Sequence, residues 1–175
     1  MRKLFFAIIM FFTLTPSLIF SMDYVYILND KCISDLYDEA QRHFAYSEIL
    51  VLKDARGIIL RHNFDKDFLL SSDEFLDICK KFELFLAKIE NPAIIEVHLK
   101  DFSNKNFLKL RKWEISTIIA NEIEAIITVP SGIIERQRIN SIGYGEFLPS
   151  KNTPNNGGKD LNRIDIIILC NVSGE

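Results

Sequence analysis

Gly143-Tyr144-Gly145-Glu146, then Pro149, Asn152-Thr153, Gly158-Lys159 and finally Asn162-Arg163-Ile164-Asp165-Ile166 form the stretch on which the reading of this chain turns. It links two β-prone runs, Arg138 to Ile142 and Ile164 to Leu169, through a Gly/Pro/Asn-rich loop expected from Gly143 to Lys159. Glycine admits turns and close backbone approaches that a Cβ forbids. Asn and Thr side chains bond to nearby backbone and can order a loop that lacks regular structure. Such residues at fixed offsets are a far more specific signal than one glycine pair.

Upstream of this stretch the chain alternates between strand and helix patterns. Ile49 to Leu52 and Ile58 to Leu60 flank Asp54-Ala55-Arg56-Gly57, a hairpin signal. Ser71 and Glu74 stand at capping-box spacing before a helix expected over 72–90. Its apolar face is Phe75, Ile78, Cys79, Phe82, Leu86 and Ile89, and Asn91-Pro92 stops it. Ala93 to Lys100 alternates, with Ala93, Ile95, Val97 and Leu99 inward and Glu96, His98 and Lys100 on the solvent face.

A polar loop, Asp101 to Asn106, then leads to a helix expected at about 106–124, with Ile115, Ile118, Ile119 and Ile123 as its core stripe. Ile126 to Val129 is β-prone and receives no firm assignment. The order predicts an α+β fold: a two-layer sandwich of a small mixed β-sheet with two long helices on one face.

Composition narrows the function. The chain has 175 residues, 48% apolar and 26% charged, which is globular usage for one ordinary domain, or one domain plus a short appendage. A net charge of −3 supplies no general attraction for nucleic acid, and no such partner is expected. The sequence has no GxSxG, HExxH or P-loop, and the expectation is a noncatalytic protein without a cofactor. The three cysteines, Cys32, Cys79 and Cys170, lack C-x-x-C spacing, so no zinc site is expected. Cys79 and Cys170 read as small core residues, and an oxidising compartment permits one disulfide of unspecified pairing. With no neighbouring His or Cys, His98 is not expected to bind a metal.

The N-terminus points outside the cytoplasm. Arg2 and Lys3 precede an uncharged run to Met22, and Thr13, Thr15, Pro16 and Ser17 break its apolar heart. That is an export-signal pattern for residues 1–21, with cleavage after Ser21. An uncleaved anchor over Leu4 to Phe20 is the alternative, and then the only membrane contact. Residues 22–44 form a short lead-in, in which Ser34 reads as the cap of a helix with Leu36, Ala40 and Phe44 on its apolar side. The principal domain spans 45–175.

The Gly143–Glu146 to Asn162–Arg163 stretch resembles the C-terminal signature of OmpA-like peptidoglycan-binding domains, a family that includes outer-membrane anchors and flagellar-motor stators. The family pattern runs GYGE, Pro, Asn-Thr, Gly-Arg and NRR followed by a strand. Gly57 to Leu60, Phe64 to Phe68 and Ser71 resemble its opening, and the likeness extends over roughly residues 45–170. The resemblance implies a periplasmic or outer-membrane-associated protein that binds the stem peptide of peptidoglycan. Other envelope proteins are possible partners, and a degenerate copy serving as a scaffold is the alternative reading.

In such domains a strand-end Asp, in a GHTD-like motif, and a helix Arg, in LSxxRA, hold the two ends of a zwitterionic diamino acid. A carboxylate pairs the ammonium and a guanidinium forks onto the carboxylate. The resemblance assigns the ligand roles here to Asp101, Asn104, Arg111, Asn162 and Arg163. Strict alternation from His98 puts Lys100 in the place of the strand-end acid, and a bulge near Leu99 restores Asp101. Matching Asn104 to the family's loop Asn gives Arg111 the helix position. Lys100, Lys105, Lys109, Arg111 and Lys112 make this segment basic, with Asp101 its single acid.

Overall fold

The computed structural model describes residues 16–65, 72–100, 107, 109–129, 132–147 and 162–170, with side chains from residue 30 onward. Among the described residues the elements follow in the order α1 Pro16–His43, β1 Leu50–Asp54, β2 Gly57–Phe64, α2 Asp73–Leu86, β3 Ala93–His98, α3 Lys112–Thr128, a 3₁₀ turn Arg136–Arg138, β4 Ile139–Gly145 and β5 Asn162–Leu169. One five-stranded sheet has the order β1-β2-β5-β3-β4. Only β3 and β4 run parallel; the other pairs are antiparallel. This is the mixed α+β sandwich the periodicity predicts, with α1 packed into it as well.

One face of the sheet carries the core. Ile58 and Leu60 of β2, Ile164, Ile166 and Ile168 of β5 and Ile95 and Val97 of β3 are fully buried. They join Phe75, Phe82 and Phe85 of α2 and Ile119, Ile123 and Ile127 of α3 in one cluster. At about 25 cal/mol per Å² of apolar surface removed from water, this cluster is the main drive for folding. The C-terminal half of α1 belongs to it through Ile33, Leu36 and Ala40, with Phe44 just past its end, and the Phe44 ring meets Phe85 at 5.3 Å.

Several boundaries differ from the sequence reading. Over its described residues helix α1 spans Pro16–His43. It runs through Ser34, so that residue caps nothing. The cap of α2 is Ser72, whose Oγ accepts the N–H of Phe75 at 3.2 Å, one residue later than expected. Helix α3 starts at Lys112 and absorbs Ile126 and Ile127. Ile118 is 40% exposed, because the buried stripe runs through Ile115, Ile119, Ile123 and Ile127 instead. Gly143 to Gly145 belong to β4, not to the loop. Among the described residues no helix is long and apolar enough to cross a membrane. Residues 1–15 and 148–161 lie outside the description, and with them most of the expected export signal, 1–21, and the middle of the signature.

Cys170 also departs from the expectation of a plain core residue. It forms a disulfide with Cys32, stapling α1 to the end of β5 across a sequence separation of 138. Cys79 is the free, buried thiol.

Candidate functional site

The described part of the candidate site is a junction of four elements: the end of β3, the start of α3, the end of β4 and the start of β5. Gly143 and Gly145 allow α3 to lie against β4. A Cβ on Gly143 would fall 2.2 Å from the Thr117 nitrogen, so only glycine fits that crossing. Gly145 adopts φ +54°, and a Cβ there would fall 2.7 Å from the Trp113 nitrogen. Ser116, fully buried, accepts the Gly145 N–H at 2.9 Å and donates to the Trp113 carbonyl at 2.9 Å. The first turn of α3 is thereby fixed to the Gly-Tyr-Gly-Glu corner.

Arg111 is the N-cap of α3, not a residue inside the helix. Its backbone N–H donates to Glu114 Oε2 at 2.7 Å and its Nε lies 3.4 Å from the same oxygen. These two bonds, the backbone one first, hold the Glu114 carboxyl below the usual range. The guanidinium carbon sits 4.9 Å over the Trp113 ring. With 73% of the side chain exposed, its two Nη nitrogens bond to none of the described residues. The residue three positions after the cap is Glu114.

The strand ends at His98; beyond it Leu99 is fully buried and Lys100 is exposed. The register shift opposite Val97 and His98 belongs to β4, where Tyr144 is the extra residue. The pairing of β3 with β5 continues unbroken through Val97–Ile164 and His98–Arg163. Lys100 lies past the end of β3. Asp101 and Asn104 lie outside the described residues.

Asn162 and Arg163 have different surroundings. Asn162 Oδ1 accepts the Lys100 N–H at 2.9 Å, so its oxygen serves the strand end. Arg163 is buried, and its Nε donates to Asp165 Oδ2 at 3.0 Å. Asp165 also takes both arms of Arg61, Nε at 2.7 Å and Nη2 at 2.8 Å.

Sheet register explains this network, which the sequence reading missed. Arg61, Asp165 and Glu96 are direct neighbours across β2, β5 and β3, and Asn63, Arg163 and His98 form the next row. Glu96 and His98 are buried, not solvent-facing as their alternation implied. His98 Nε2 is 3.5 Å from Glu96 Oε2 and its ring stacks on Tyr144 at 5.1 Å. Arg56 reaches Glu96 at 3.4 Å from the hairpin.

Glu96, His98 and Asp165 are metal-ligand types with ligating atoms within 4.8 Å of one another. Three guanidinium groups already engage the two acids, and a divalent cation there would sit against them. The residues suit an ion network better than a metal centre.

The fold has solved counterparts. A MotB-like protein from Desulfovibrio vulgaris superposes with a TM-score of 0.62 at 19% identity, over 85% of this chain and 99% of that one. The cell wall anchor of the T6SS from Pseudomonas aeruginosa gives 0.58 at 17%, over 74% and 95%. The periplasmic domain of MotB from Helicobacter pylori gives 0.55 at 13%, over 70% and 82%. The chain has the OmpA-like fold of MotB C-terminal domains. No family model and no curated protein matches the sequence.

Proposed function

We propose that this chain is a noncatalytic, exported envelope protein whose domain binds peptidoglycan through the diamino acid of the stem peptide. The observation that carries the reading is Arg111. It stands at the N-terminus of α3, beside the end of β3, with its guanidinium braced by Glu114 and Trp113 and its outer nitrogens free of described partners. A braced guanidinium at a helix N-terminus is suited to a ligand carboxylate. The wall-anchoring and periplasmic settings named for the structural counterparts agree with this use. The Cys32–Cys170 disulfide supports export, since such bonds persist in oxidising compartments.

One observation favours a second reading, a scaffold that no longer takes the diamino acid. Arg111 caps the helix instead of standing inside it, and the exposed residue just past the end of β3 is Lys100, not an acid. Co-sedimentation of the full chain with purified diaminopimelate-containing sacculi separates the two. Saturable binding that free diaminopimelate competes away supports the first reading, and absence of binding leaves the scaffold.

A further inference from the structure

The two ends of the sequence signature meet at one dipeptide. Gly145 closes β4, and its carbonyl accepts the Leu99 N–H at 2.8 Å. Asn162 opens β5 and takes the Lys100 N–H. From α3, Lys112 Nζ donates to the Lys100 carbonyl. Both backbone polar groups of Lys100 are thus held by side chains, from elements 62 and 12 positions away.

Lys100 is solvent-exposed, so water could satisfy the same two groups. Asn162 is only 4% exposed and reaches the peptide from a position fixed by the β2–β5–β3 ladder. Lys112 follows Arg111 directly at the head of α3. The pair of bonds therefore sets the spacing between the strand end and the helix N-terminus where Arg111 stands.

We infer that Asn162 and Lys112 are positioning residues for the ligand site: they clamp the Lys100 peptide so that the end of β3 and the head of α3 meet a ligand in one fixed geometry. Asn162 then acts through Lys100 and is not itself a ligand contact. The inference rests on the peptidoglycan reading above. A displacement of about 1 Å in such a constellation is enough to lose most of its affinity.

The test measures binding of the full chain to diaminopimelate-containing sacculi, alongside amide exchange at Lys100. Asn162→Ala is expected to weaken binding about tenfold and to speed Lys100 exchange. Asn162→Asp, which keeps an acceptor oxygen, should stay within about threefold of the unmutated chain. Lys112→Ala and Lys112→Arg test the other jaw from a partly exposed position, where folding is not at risk: loss with Ala and rescue with Arg are expected. Unchanged binding in both alanine variants, with Lys100 exchange accelerated, overturns the clamp while leaving the peptidoglycan reading intact. Equal losses in Lys112→Ala and Lys112→Arg also overturn it. No binding by the unmutated chain removes both.

Discussion

Arg61 on β2 forks onto Asp165 on β5, with Nε to Oδ1 at 2.7 Å and Nη2 to Oδ2 at 2.8 Å, and both side chains are under one-tenth exposed. Arg163 shares the same carboxylate. Removing one member of a buried ion set leaves the others uncompensated, which costs more than the intact set contributes. Asp165→Asn is expected to destabilise the domain by about 3–5 kcal/mol. Replacing Arg61, Arg163 and Asp165 together by apolar residues of similar volume should cost much less. Urea unfolding checks both, and a smaller loss in the single variant than in the triple would contradict this account.

Arg111 and Lys109 provide the comparison for ligand binding. Both are exposed cations near the head of α3, but only Arg111 is braced by Glu114 and Trp113. Arg111→Ala should lose about 1.5–3 kcal/mol of sacculus binding, largely independent of salt. Lys109→Ala should lose little, and added salt should abolish the difference it makes. Equal, salt-screened losses would indicate a diffuse basic patch.

His62 sets an expectation for pH. Burial lowers its pKa, Glu48 and Glu74 oppose that shift, and Lys81 adds to it. The folded state therefore binds the proton less readily than the unfolded chain. Its contribution is fully present above the unfolded value of about 6.5 and is lost as pH falls toward the lower folded value. Burial likewise lowers the pKa of His43, which adds in the same direction. Thermal midpoints between pH 7.5 and 5 should fall less steeply for His62→Gln than for the unmutated chain. Parallel slopes would remove His62 from the explanation.

Thiol chemistry checks the cysteine assignment. Burial, with a smaller push from Glu122, raises the Cys79 thiol to about 12. A thiol so placed is a poor nucleophile. The native oxidised chain should show no thiol reactive toward a disulfide reagent, and the unfolded oxidised chain should show one. Replacing Cys32 and Cys170 with Ser should cost about 2–5 kcal/mol, since the bond closes a long loop. Three reactive thiols in the unfolded oxidised chain would mean that the Cys32–Cys170 bond does not form.

Local signals sufficed wherever one element's own pattern decides its state. The hairpin at Asp54–Gly57, the apolar face of α2 from Phe75 to Leu86 and the alternation of β3 are all legible from spacing, because periods of 2 and 3.6 follow from backbone geometry. The glycines at 143 and 145 were legible as a signature, although their separate uses were not: close packing under Thr117 for one, a left-handed corner beside Trp113 for the other. Tertiary structure decided the remainder. Glu96 and His98 read as solvent-facing because alternation shows only which face a residue shares. What covers that face depends on Arg61 and Asp165, which strand register brings alongside. Cys32 and Cys170 carry no local sign of each other, and only the packing of α1 beside the end of β5 joins them. The start of α3 likewise had no sequence punctuation, since its cap is an arginine. Its first turn is fixed by Glu114 reaching back to the Arg111 N–H and by Ser116 bonding to Gly145, a contact between residues 29 positions apart.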